Sequence, residues 1–160
     1  CVNDLSEKEL ANLRLQHIGF VFQGFNLLAP LNALENVMQP LLLQGVKRKE
    51  AKSRAMKLIR QFGMEDRMHN LPKNLSAGQQ QRIAIARSLI TDPQLILCDE
   101  PTASLDHKSA KMVMEMLSQL SMDNRAVIVV THDVRLKKYA DRTIYVSEGR
   151  ISETAIEDDF

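Results

Sequence analysis

The sequence predicts an α/β fold: a mostly parallel β-sheet with an inserted helical subdomain. Three observations predict it. Residues 94–98 and 126–130 are short, continuous, largely aliphatic runs, as in parallel strands covered on both faces. Helix-periodic segments alternate with them. Residues from about 25 to 90 carry helical patterning only, so the helices interrupt the sheet.

Residues 17–22 read as a short buried strand ending at Gln23. Gly24 and Pro30 punctuate the loop that follows. Asn32 has Glu35 three residues on, the spacing of a capping box. Its helix carries residues 33–38, with Pro40 and Gly45 at its end or in a kink. Residues 50–62 are amphipathic: Ala51, Ala55, Leu58, Ile59 and Phe62 share one face, and Gly63 ends the helix. Residues 70–74 form a loop around Pro72. From 76 to 90 a helix is apolar almost all round (Ile83, Ala84, Ile85, Ala86, Leu89, Ile90), which predicts burial on most sides. Asp92-Pro93 breaks it before the strand at 94–98. A second amphipathic helix covers 107–120, with a stripe of Ala110, Val113, Met114, Leu117 and Leu120. After the strand at 126–130, residues 137–140 end a short helix and 143–146 make a last strand. Glu148-Gly149 is a turn, and the acidic tail from Glu157 is expected to fray.

A length of 160 residues suits one domain. Residues 25–90 would be its helical part, with 1–24 and 91–155 as pieces of the α/β core. A net charge of +1 gives no electrostatic reason to expect a nucleic-acid partner. Five Phe, two Tyr and no Trp argue against a base-stacking platform. Of the two cysteines, Cys98 lies in an apolar run and reads as a small core residue, as in a reducing compartment. No apolar run approaches the roughly 20 residues of a membrane span, and no signal peptide is visible. Work at a membrane would go through a partner. The chain begins with Cys, so the expectation is the C-terminal part of a longer product.

The chemistry concentrates in a few places. Asp99 and Glu100 end a buried strand, where α/β proteins bind ligands. Asp99 is a hard oxygen ligand for Mg²⁺, and Glu100 a base for an attacking water. The plain alternative is two solvated acids capping a strand. Ser76-Ala77-Gly78 opens a helix whose free N–H groups favour phosphate; for Ser76 alone, simple N-capping explains as much. His132 follows the next strand and could donate to a phosphate. Gln23, after the first strand, could reach the metal or the water.

Together these residues resemble the nucleotide-binding subunit of ABC transporters, over essentially the whole chain. Phe22-Gln23 is similar to the Q-loop. Residues 75–79 resemble the signature motif, with Ala77 where Gly is usual. Residues 94–99 resemble Walker B, followed by the catalytic Glu100. Ser104-Leu105-Asp106 resembles the D-loop, with Ser104 where Ala is common, and His132 the switch histidine. Residues 14–23, 31–37 and 99–106 look most like exporter ATPases for lipoprotein release, macrolide export and glycolipid export.

The resemblance implies a P-loop NTPase-like (RecA-like) fold lacking its N-terminal part. It implies ATP and Mg²⁺ as cofactors, with Glu100 and His132 catalytic. Gln23, Ser76, Gly78, Gln79 and Asp106 would touch nucleotide, and Asp99 and Gln23 would touch the metal. It implies a homodimer in which Ser76 and Gly78 serve the partner's nucleotide. A transmembrane permease and a periplasmic adaptor are implied as partners, and the cytoplasmic face of the inner membrane as the location. The cargo would be a lipid, a lipoprotein or a small hydrophobic compound. No Gly-x-x-x-x-Gly-Lys-Ser/Thr loop occurs in the chain, so the chain alone is expected to hydrolyse ATP negligibly. A non-catalytic module docking on a membrane partner is the runner-up. A chromosome or repair ATPase head is disfavoured, because residues 23–76 hold no heptad run.

Overall fold

Three apolar runs build the sheet. The computed structural model describes residues 4–121 and 125–153, so the readings made on Cys1 and on the tail from Glu157 lie outside the described residues. Strands β1 (Ile18–Val21), β2 (Leu95–Asp99) and β3 (Ala126–Val130) pair in the order β1-β2-β3, all parallel. Val21 lies level with Cys98, and Asp99 with Val130. All three strands therefore end at the same edge. The fold is α/β with a parallel sheet, as the strand pattern predicts.

Helices α2 (Ala33–Leu43), α3 (Arg48–Gln61) and α4 (Ala77–Leu89) fill the interval between β1 and β2. The predicted Asn32–Glu35 capping box forms, with both reciprocal bonds present. Gly63 ends α3 at a φ of +63°, a left-handed turn that glycine takes without steric cost. One core joins these helices through Val37, Leu41, Ala51, Ile59 and Ile83. A second joins α4 to the sheet and to α5 (His107–Ser121), through Val21, Ile85, Ile96, Cys98, Val113 and Leu117. Helix α4 serves both cores, which is why it is apolar almost all round. Cys98 is buried in the core as read, and burial pushes its thiol up to about 12.

The structure departs from the sequence reading in four places. Helix α1 (Glu7–His17) is present and was not anticipated. It buries no residue, so it leaves no amphipathic signature, and its one sequence signal is the Ser6–Glu9 capping box. His17 closes that helix, and the strand starts one residue later at Ile18. The last strand, β4 (Tyr145–Ser147), pairs antiparallel with an unanticipated β5 (Arg150–Ser152) across the Glu148-Gly149 turn. Residues Val134–Tyr139 form a 3₁₀ turn rather than an α-helix.

The fourth departure concerns sheet cover. Helices α4 and α5 shield the face that carries Val21, Ile96 and Cys98. On the opposite face Ile128 is 51% and Val130 61% exposed. A continuous apolar run predicts cover on both faces, and the described residues cover β3 on one.

Candidate functional site

The shared end of the parallel strands collects the predicted chemistry. Gln23 lies two residues beyond β1, Asp99 closes β2 and Glu100 follows it, and Thr131 and His132 follow β3. Glu100 turns the chain with a left-handed φ of +45°, and its N–H donates to the Val130 carbonyl at 2.9 Å. A non-glycine residue in that region costs of order 1 kcal/mol and persists only where its surroundings enforce it.

Here they do. Glu100 Oε1 accepts from the His132 main-chain N–H at 2.9 Å and lies 2.6 Å from His132 Nδ1. Glu100 Oε2 accepts from the Thr131 hydroxyl at 3.1 Å. Thr131 Oγ1 in turn accepts from the Asp133 N–H. The carboxylate is mostly buried while the His132 side chain is 84% exposed. Sequence reasoning treats Glu100 and His132 as separate contributors; the structure makes them hydrogen-bonded partners. It also adds Thr131, whose only sequence signal is its place before the histidine. The Arg135 guanidinium, hydrogen bonded to Asp133, holds that carboxyl down to about 2.

A second group forms at the start of α4. Ser76 is the N-cap, in a full capping box with Gln79: Ser76 Oγ accepts from the Gln79 N–H, and Gln79 Oε1 accepts from the Ser76 N–H at 2.9 Å. This uses the Gln79 N–H and leaves those of Ala77 and Gly78 pointing out of the helix start, the positive end of its dipole. Ser76 keeps its own hydroxyl proton to donate.

Gly78 has a packing reason as well. A Cβ there would meet Ser109 Oγ at 2.8 Å. Ser109 Oγ donates to Asp106 Oδ2 at 2.6 Å, and Asp106 Oδ1 accepts from the N–H groups of Lys108 and Ser109. These bonds hold the Asp106 carboxyl below its ordinary range. The start of α4 and the loop of Asp106 are thus packed together through a residue that sequence reading passed over.

The structure brings Glu100 and His132 into contact, and it brings Gly78 beside the Asp106 cap. Gln23 and Asp99 are exposed at the strand ends. Among the described residues no hydrogen bond joins the Glu100 group to Ser76, Gly78 or Asp106.

One buried polar group stands apart. Gln81, one turn into α4, is fully buried, and neither its Oε1 nor its Nε2 has a hydrogen-bond partner among the described residues. Leaving such an amide unpaired costs about 1–3 kcal/mol. Gln81→Met keeps the volume and removes the penalty, so urea unfolding should show a gain of about 1–2 kcal/mol. A loss of stability would mean that the amide is satisfied in solution.

The chain resembles known proteins over most of its length. A family model described as ABC transporter matches residues 2–103. The chain is 44% identical over 153 residues to the lipoprotein-releasing system ATP-binding protein LolD of Chromohalobacter salexigens, covering 95% of this chain and 65% of that protein. It is 45% identical over 147 residues to the macrolide export ATP-binding/permease protein MacB of Bartonella henselae, covering 92% and 22%. Among solved structures, a post-hydrolysis dimer of the ATP-binding cassette MJ0796 bound to ADP and Pi superposes with a TM-score of 0.82 at 42% identity, covering 94% of this chain and 68% of that one. The chain spans less than two thirds of the length of the curated relatives it matches.

Proposed function

This chain belongs to the ABC transporter family, and from that premise we propose that it forms the part of an ATP-hydrolysing subunit that carries the catalytic carboxylate and the signature helix. The observation that carries the reading is the Glu100 carboxylate, held by Thr131 and His132 at the ends of parallel strands and adjoining Asp99 in the chain.

The donor set fits a nucleotide-borne Mg²⁺. Among the described residues no cluster of three or more His, Cys, Asp or Glu is placed to hold a metal by itself. Mg²⁺ is usually held by one or two carboxylates, with phosphate and water completing the shell. Asp99 and the Gln23 amide suit that division. An ion held there would supply charge neutralisation at the phosphates.

Glu100 orients the attacking water and accepts its proton. Thr131 and the His132 main chain keep the carboxylate in place for that step. His132 Nδ1 lies against Glu100, which leaves Nε2 as the ring nitrogen that would face the γ-phosphate. The free N–H groups of Ala77 and Gly78, with the Ser76 hydroxyl, form an anion site for the nucleotide of a second copy. The dimeric MJ0796 structures support a second copy as the partner. Gln79 and Asp106 shape this surface through the bonds described above.

On this reading the subunit works on the cytoplasmic face of the inner membrane with a permease and a periplasmic adaptor, exporting a lipid, a lipoprotein or a small hydrophobic compound. Similarity to proteins named for lipoprotein release and macrolide export supports that class. Among the described residues no helix is long and apolar enough to cross a membrane.

The test is phosphate release from ATP by this chain joined to the phosphate-loop part of a relative. Turnover that requires Mg²⁺ and stops on chelation is expected. A protein that docks on a permease and never hydrolyses ATP would establish the non-catalytic module instead.

A further inference from the structure

The loop after Gln23 is held in an unusual conformation by a residue from the far end of the signature helix. Phe25 and Asn26 both take left-handed φ values, +60° and +47°. Two consecutive non-glycine residues in that region need an external restraint. Arg87, in the last turn of α4, supplies one. Its Nη1 donates to the Asn26 carbonyl at 2.6 Å and its Nη2 to the Phe25 carbonyl at 2.9 Å. Burial pulls its pKa down. Among the described residues it shows hydrogen bonds to these two carbonyls and no carboxylate partner. A desolvated guanidinium with only main-chain acceptors tolerates little displacement of them.

The other end of the loop is fixed separately. Asn36 is fully buried; its Oδ1 accepts from the Leu28 N–H at 2.7 Å, and its Nδ2 donates to the carbonyls of Leu28, Leu31 and Asn32. The segment from 23 to 31 is therefore a strap with two anchors, and Arg87 is the anchor next to Gln23.

We infer that Arg87 is a positioning residue for Gln23: by clamping the Phe25 and Asn26 carbonyls it fixes the direction in which Gln23 leaves β1 and ties that loop to the helix whose first turn bears Ser76 and Gly78. The functional half of this rests on the reading of Gln23 as a contact to metal or water. A shift of α4 then moves Gln23 with it, since both anchor groups of Arg87 are main chain.

The test uses this chain with Arg87→Met and Arg87→Lys. Amide exchange at Phe25 and Asn26, whose N–H groups bond to Phe22 and Gly24 carbonyls, should quicken at least about 10-fold in the Met variant and less in the Lys variant, which keeps a donor. Amides of Ile85 and Leu97 should keep their protection. Unchanged loop exchange, or an equal loss across α4 and β2, overturns the clamp. A second measurement follows the Gln23 side-chain amide resonances on titration with millimolar Mg²⁺·ATP, in parent and variant chains each joined to the phosphate-loop part of a relative. A shift in the parent chain that is lost in Arg87→Met supports the positioning role. The same shift persisting in Arg87→Met overturns it. No shift in the parent chain overturns the reading of Gln23 and leaves the clamp to be judged by exchange alone.

Discussion

On the proposed reading, Glu100→Gln in this chain joined to a phosphate-loop part should lower ATP turnover by about 10²- to 10⁴-fold, the usual effect of removing a general base, while nucleotide affinity should stay near that of the parent. The substitution is close to isosteric. A glutamine oxygen still accepts from the His132 N–H or the Thr131 hydroxyl, so the bonds that seat the side chain survive in part. What is lost is the negative charge that takes a proton from water, and with it about 3–5 kcal/mol of transition-state stabilisation. A slowed chemical step lets the closed, ATP-loaded form accumulate, because a ligand that prefers the closed state shifts the population until it is consumed. The measurement is single-turnover phosphate release beside size-exclusion chromatography in ATP, on the chain joined to a phosphate-loop part. A slow variant that elutes as a dimer is the expected pair of results. Unchanged turnover removes Glu100 from the mechanism.

Thr131→Val is a weaker version of the same change. It removes one donor from the Glu100 carboxylate and leaves the charge, so its cost falls on orientation. That difference shows what sequence alone reveals of the site. The placement of Asp99, Glu100 and His132 at strand ends is legible because Asp99 closes one readable apolar strand, Glu100 follows it, and His132 follows another. Their mutual contact was not, because it depends on β2 and β3 being neighbours in register, and register is a tertiary property. Thr131 and Ser109 were missed for a related reason. A lone hydroxyl has no pattern, and it matters only once Glu100 or Asp106 is brought against it.

The fold divides the same way. Helices α2, α3 and α4 show a hydrophobic face and capping residues, so their existence and approximate ends follow from the chain. Helix α1 buries nothing, and a helix without an apolar face has only its cap to announce it. The apolar run of β3 implies cover on both faces, since Ile128 and Val130 are as hydrophobic as Val127 and Val129. Which of them meets a helix is decided by where α5 packs, and that information lies outside the run itself.

Gly19→Val should be the most destabilising single change in the sheet. Gly19 sits in β1, and a Cβ there would stand 2.5 Å from the Ser88 carbonyl oxygen and 3.2 Å from Pro93 Cγ. The first of these is main chain in the last turn of α4, so no side-chain rotation relieves the clash. The whole helix must lift off the strand. Overpacking of this kind costs about 1–3 kcal/mol and occasionally more; alanine should lie within that range and valine at or above its top. In urea, with a slope of about 1–3 kcal/mol per molar, the valine variant should unfold about 1 M or more earlier than the parent. The functional consequence follows from the same geometry. Helix α4 carries Ser76 and Gly78 at its start and Arg87 at its end, and β1 runs into Gln23. Separating them at Gly19 loosens the Arg87 clamp and displaces the anion-binding helix start relative to the catalytic edge. Gly19→Ala should therefore quicken exchange at Phe25 and Asn26 more than at Leu41 or Ile59, which lie in the helical core away from this contact. An alanine variant as stable as the parent, with that exchange unaltered, would show that β1 and α4 do not approach so closely in solution.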